Sequence, residues 1–362
     1  MPLQTVQDLT GLLELLQQPA FCLRQDGQVF PNRLAETLSP AGGLCLDEWL
    51  GACRDAYHGW NRTGGLSLTL PILGQTYLVT VQPLEDGTLF LLSPMPVEKE
   101  ESFGVAAQVM RQPLSDLSLL SQRLSELASS AEEGALREEA AKLSRNVYRL
   151  SRITANLADL ERLRSGQYQP RLSPLELSAA LSPLLVELAD LCRVAGHGLE
   201  YRLPGQPVNV RADQMLLERA LLNLFSNAIK YGDPAEPIRF WCDLTSSAVL
   251  LRVQNRCLAD DGELLSAAFS RLHRRGALPD PTWGVGLGLP LARAIAQLHG
   301  GTVAMELSRE GVATATLSLS RRTGSAVRVE APGFAYTGGM RRTLGEYSPD
   351  FLLAVEALTG HL

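Results

Sequence analysis

Lysine is the residue this chain uses least, and histidine is scarce as well. Of its 33 basic residues only Lys99, Lys142 and Lys230 are lysines, and no histidine occurs between residues 59 and 196. Chemistry that needs an imidazole is thereby excluded from that stretch. No run of 18 apolar residues exists, and Met1–Phe21 lacks a basic start followed by an apolar segment, so neither a membrane span nor a secretory leader is expected. The six cysteines (22, 45, 53, 192, 242, 257) show no Cys-x-x-Cys spacing and read as reduced, part-buried small side chains. With a net charge of −6 and no basic block or aromatic-interleaved basic stripe, nothing recommends nucleic acid as a partner. The expectation is a soluble, cytoplasmic protein with no membrane partner.

What is present suffices for more than one core. At 362 residues and 45% hydrophobic content, two or three domains are expected. Residues 1–97 read as a small α+β module. Leu9–Leu16 is amphipathic, Ala20–Phe30 is a strand–turn–strand about Asp26-Gly27, Gly74–Gln82 alternates, and Asp86-Gly87 turns into Thr88–Leu92. That order of hairpin, helices and meander resembles a PAS sensor domain. His58 within it reads as an ordinary surface or packing residue.

Residues 98–168 read as an antiparallel helical hairpin. Phe103, Met110, Leu117 and Leu124 repeat every seven residues, with Ala106, Pro113, Leu120 and Leu127 as the companion row. Ser129–Gly134 interrupts the pattern, and Leu136, Leu143, Leu150 and Leu157 resume it. Two such helices bury both stripes by pairing with a second copy, so a homodimeric four-helix bundle is expected. Residues 169–322 mix amphipathic helices (Leu177–Leu191, Ala212–Tyr231, Leu289–Leu298) with alternating strands, which predicts a mixed sheet covered by helices on one face. The tail, 323–362, ends in a helix over Asp350–Leu358 opened by Ser348-Pro349 and is assigned no function.

Two segments carry the chemistry. In Glu218–Tyr231, Asn223, Asn227 and Lys230 fall at i, i+4 and i+7 and share a helical stripe, apart from the apolar stripe of Leu217, Leu221, Leu224 and Ala228. Asparagine is a poor helix former, so two on one face suggest amides aimed at a ligand. In a chain so sparing of lysine, Lys230 on that stripe adds weight. In Trp283–Gly301, Gly284, Gly286 and Gly288 precede an amphipathic helix, placing free backbone N–H groups where an anion could settle. The glycine pattern is neither a P-loop nor a dinucleotide fingerprint, since Leu289 and Leu291 stand where a last glycine would fall.

Together these segments resemble the nucleotide-binding boxes of sensor histidine kinases, within the wider GHKL ATPase superfamily. The resemblance covers roughly residues 100–320. It implies a Bergerat-type α/β sandwich, and so a multidomain α+β chain of PAS-like module, dimeric hairpin and ATP-binding domain. It also implies ATP and Mg²⁺ as ligands, with Asn227 holding the metal, Asn223 beside it, Lys230 on phosphate and Tyr231 near the ribose or adenine. Gly284, Gly286, Leu287 and Gly288 would form the phosphate loop. Mg²⁺ favours hard oxygen ligands and retains waters, which one amide oxygen and the phosphates satisfy.

The chain departs from that family at the base contact and at the phosphoacceptor, and a further residue bears on hydrolysis. Asn255 stands where an aspartate would accept from the adenine amine, and Cys257 and Ala259 replace two glycines, putting Cβ atoms where backbone would approach the base. Asn223 stands where ATP-hydrolysing relatives carry a carboxylate base. Gln108, in Gln108–Leu114, occupies the phosphoacceptor histidine position, with Val109 in place of its acidic neighbour. The basic run His273–Arg275 could contact phosphates or simply be solvated, and Gln112 could orient a water in a dephosphorylation. The resulting expectation is a homodimeric signalling protein that binds ATP–Mg²⁺ without phosphorylating itself on histidine. It would act by conformation on a response regulator or a partner histidine kinase. An active phosphotransferase using another acceptor, such as Ser115, Ser118 or Ser121, and a nucleotide-free dimeric scaffold remain as alternatives.

Overall fold

The computed structural model describes residues 11–38, 46–94, 168–257 and 288–321, with twelve helical positions between 116 and 163. Gln108, Gln112, Ala259, His273–Arg275, Gly284, Gly286, Leu287 and the tail 323–362 lie outside the described residues, as does most of the seven-residue repeat.

The N-terminal elements are β1 (Ala20–Arg24), β2 (Val29–Pro31), α1 (Arg33–Glu36), α2 (Leu46–Leu50), α3 (Arg54–His58), β3 (Gly64–Ile72), β4 (Gln75–Leu84) and β5 (Gly87–Pro94). All strand pairs are antiparallel, in the order β2-β1-β5-β4-β3. Asn32 ties the first hairpin together from inside. Its Oδ1 accepts from the Ala20 and Ala35 amides, and its Nδ2 donates to the Leu13 and Gln18 carbonyls. This satisfies a buried amide fully. Under α2 and α3 lies an aromatic core in which Phe21 stacks on Phe90 at 4.4 Å, beside Tyr57 and Trp60.

The C-terminal elements are β6 (Ser173–Glu176), α4 (Leu177–Val194), β7 (Leu199–Arg202), β8 (Asn209–Ala212), α5 (Gln214–Tyr231), β9 (Ile238–Leu244), β10 (Ala248–Arg256), α6 (Gly288–Leu298), β11 (Val303–Ser308) and β12 (Val312–Ser320). Their sheet runs β11-β12-β10-β9-β7 with β7 parallel to β9, while β6 and β8 form a separate pair. Each long helix begins on a carboxylate cap. Glu176 accepts from the Ser178 and Ala179 amides, and Asp213 from Leu216, supplying acceptors to orphan N–H groups. One face of the sheet packs Val249, Leu251, Val253, Leu317 and Leu319 against the apolar stripes of α4, α5 and α6. This is the mixed α/β sandwich the helix and strand periodicities predict.

The two sheets are one. Strand β3 pairs antiparallel with β11, Ser67 opposite Met305 and Gly64 opposite Ser308, giving ten strands in a continuous order. Because paired residues share a face, the side of β10–β12 away from α4–α6 carries Arg252, Ala304, Glu306, Thr314, Thr316 and Ser318. Ala304 joins the aromatic core of the N-terminal module, and Ser247 Oγ donates to Asp55 Oδ2 at 2.6 Å. From the hairpin region, Leu163 enters the nucleotide-domain core, and Arg219 on α5 pairs with Asp159 and reaches Asn156 Oδ1.

Candidate functional site

Helix α5 presents the asparagines because its opposite side is committed to the core. Leu217, Ala220, Leu221, Leu224 and Ala228 are buried against α4, α6 and the sheet. Asn223 and Asn227, one turn apart, have different environments. Asn223 is buried, and its Nδ2 donates to the Arg219 carbonyl at 2.9 Å, a bond back along its own helix. Its Oδ1 points to the first residue of α6, where a Cβ added to Gly288 would stand 3.0 Å away. A side chain there would push against the amide, so the start of α6 approaches α5 closely only because residue 288 has none.

Asn227 is half-buried and lines a pocket with Tyr231 of the same helix and Asn255 at the end of β10. The remaining walls are apolar: Leu224 and Ala228 from α5, Val253 from β10, Met305 from β11, and Ala313 and Ala315 from β12. Asn255 is buried, with Nδ2 turned to the Arg256 carbonyl at 3.4 Å and the Cys257 sulfur at 3.7 Å. Its Oδ1 is the atom suited to accept from a ligand amine. The Cys257 side chain packs with Ala313 and Leu307, and its amide donates to the Gly311 carbonyl at 2.8 Å. Lys230 Nζ lies 5.1 Å from the centre of the Tyr231 ring, beside the pocket rather than in its lining. The structure thus brings together Asn223, Asn227, Tyr231, Asn255 and Gly288. Gly284, Gly286, Leu287 and Gln108 fall outside the described residues.

Sequence reasoning passed over two groups. Met305, Ala313 and Ala315 signal nothing by type, since small and apolar strand residues look like any core. His299 carries a detectable signal: it is a single histidine directly before Gly300-Gly301 at the close of α6. Its Nδ1 donates to the Ile295 carbonyl at 2.8 Å and its Nε2 accepts from the Asp213 amide at 3.0 Å, so the neutral ring locks the end of α6 to the cap of α5. Asp213 also accepts from the Tyr168 hydroxyl and the Arg171 amide. Burial and the Asp213 charge raise the Tyr168 phenol to about 12. Near the far end of α5, burial lowers the His197 pKa against the opposing pull of Ile229 and Asp233.

The donor set suits a metal–polyphosphate in its polar half. Neutral amide oxygens are hard ligands, and the start of α6 offers the positive end of an 11-residue helix. The pocket as a whole is small: its volume is about 30 Å³, room for water. Among the described residues, those lining the pocket offer two side-chain amides and a phenol amid apolar walls, groups that bind and orient a ligand.

The family model described as histidine kinase-, DNA gyrase B- and HSP90-like ATPase matches residues 212–330. This segment, from the end of β8 through β12, is therefore similar to the GHKL-type ATPase domains. Sensor protein KdpD of Escherichia coli (strain K12) is 28% identical over 199 residues, 51% of this chain and 20% of that protein. The uncharacterized sensor-like histidine kinase R01002 of Rhizobium meliloti (strain 1021) is 28% identical over 168 residues, 45% of this chain and 31% of that one. The matches span between about a fifth and a third of the length of these relatives. Among solved structures, the Acinetobacter baumannii histidine kinase AdeS aligns with a TM-score of 0.44 and 20% identity, covering 59% of this chain and 96% of that chain. The chain is thus similar to sensor histidine kinases, and the ATPase family match lies in its residues 212–330. Among the described residues no helix is long and apolar enough to cross a membrane.

Proposed function

We propose that this chain is a homodimeric, cytoplasmic two-component signalling protein that binds ATP–Mg²⁺ and does not phosphorylate itself on histidine. The carrying observation is the pocket of Asn227, Tyr231 and Asn255, which offers amide-oxygen and aromatic contacts to a nucleotide. Asn227 holds the metal, Asn223 and Lys230 offset the phosphates, and the backbone at Gly284, Gly286, Leu287 and Gly288 cradles them. Asn255 accepts from the base amine. Gln108, in the acceptor position of the hairpin, has no nucleophilic lone pair comparable to imidazole's. The output is then conformational, with nucleotide and a PAS-like module at 1–97 together setting how a hairpin at 98–168 engages a response regulator or partner kinase. The strand order β2-β1-β5-β4-β3 supports the sensor reading of the first module.

Incubation with γ-labelled ATP and Mg²⁺ tests this directly. The expected result is no acid-labile, base-stable label on the chain, and its appearance would overturn the reading. Calorimetry with Mg–ATP is expected to saturate at one nucleotide per chain. The small volume of the pocket, about 30 Å³, favours a second reading, a nucleotide-free dimeric scaffold. Absence of heat at millimolar nucleotide selects it.

A further inference from the structure

Strand β11 belongs to two structures at once. On one edge it pairs with β12, and Met305, with Ala313 and Ala315 of β12, walls the apolar part of the pocket. On its other edge it pairs with β3 of the N-terminal module, Met305 standing opposite Ser67. An edge strand left alone exposes unpaired backbone groups; here the N-terminal module supplies the missing neighbour. The backs of the same strands are gripped as well, through Ala304 in the aromatic core and the Ser247–Asp55 hydrogen bond. The position of Met305 is therefore fixed from outside the nucleotide domain.

The seam is also imperfect in a telling way. Among the described residues, the hydroxyls of Ser67 and Thr69 on β3 are buried without hydrogen-bond partners, as are Nε and Nη2 of Arg293 on α6. Arg293 lies close enough to Cys53 of the N-terminal module for its charge to be felt there, and the Cys53 thiol donates to the Thr69 carbonyl at 3.3 Å. Buried polar groups without partners recover hydration when an interface opens, which lowers the cost of opening it.

We propose that the N-terminal module is a positioning arm for the base pocket: pairing of β3 with β11 sets the place of Met305, and loosening that pairing changes nucleotide affinity. The inference rests on the nucleotide-binding reading above. By linkage, whatever binds or distorts the first module alters nucleotide affinity, and nucleotide tightens the seam in return.

Gly64 offers a selective probe. A Cβ there would stand 1.9 Å from the Leu307 carbonyl oxygen and 2.7 Å from the Ser308 Cα, both backbone, whereas one at Gly65 meets only the movable end of Gln82. In the full chain, Gly64→Val is expected to lose amide-exchange protection over 304–308 and to shift affinity for Mg–ATP and Mg–ADP alike by about tenfold. Affinity for inorganic tripolyphosphate, which lacks a base, should stay within about twofold, and Gly65→Ala should resemble wild type in every assay. Loss of protection with unchanged nucleotide affinity overturns the proposal, as does an equal loss for tripolyphosphate. Should Gly64→Val fail to fold, wild type decides: saturating Mg–ATP must slow exchange over 64–68 across the seam, and unchanged exchange there overturns the proposal. A wild-type chain that takes up no nucleotide instead removes the parent reading, and this one with it.

Discussion

Asn227 and Asn223 differ in what they can give a ligand. Asn223 spends its Nδ2 on the Arg219 carbonyl and its Oδ1 faces Gly288, so it shapes the entrance to α6. Asn227 lines the pocket. Replacing Asn227 by Ala is expected to weaken Mg–ATP about tenfold, the usual worth of one charge-assisted contact. Nucleotide with EDTA should bind about as before; a calorimetric titration with and without Mg²⁺ checks both. His197 gives a second prediction. Burial lowers its pKa in the fold, so the folded chain binds the proton less readily than the unfolded chain. Its contribution is complete above the ordinary value of 6.5 and is lost as pH falls through that value towards the folded pKa, with a slope of up to about 1.4 kcal/mol per pH unit. Urea midpoints at pH 7.5 and 5.5 should fall with acidification in wild type and fall less in His197→Gln.

At the scale of elements, periodicity in the sequence located nearly every helix and strand of the nucleotide domain. Ile238–Asp243 alternates with Ile238 and Phe240 in the core, Ala248–Gln254 is a largely apolar run buried along most of its length, and α4 and α5 carry continuous apolar stripes. What misleads is β12, where Thr314, Thr316 and Ser318 alternate with Ala and Leu as a solvent face would, yet all three are buried. Alternation records polarity, and coverage by another module leaves no mark on it. Turns carry a different kind of information. The β3–β4 hairpin closes on Leu73-Gly74, both at positive φ (50° and 79°), with Leu73 largely exposed. A leucine pays steric strain there that asparagine tolerates. Leu73→Asn is therefore expected to stabilise the chain by about 0.5–1 kcal/mol, read as a raised urea midpoint.

At the scale of the molecule, the ten-stranded sheet joins the N-terminal module and the nucleotide domain through one continuous hydrogen-bonded ladder. Nothing in either segment alone announces this, because β3 ends at Ile72 and β11 begins only at Val303, and local pattern is silent about such pairings. The expected signature is a single calorimetric endotherm for both, with calorimetric and van't Hoff enthalpies in agreement, which two separate transitions would contradict. Arg219, paired with Asp159, adds a tie to the helical region, so that α5 feels it directly. The register of β3 also constrains how the chain can change. Side chains on a strand follow parity: a one-residue slip of β3 against β4 and β11 would swing Leu66 and Leu68 out of the aromatic layer and turn the Ser67 and Thr69 hydroxyls into it, so the shared strand admits a single alignment with both neighbours.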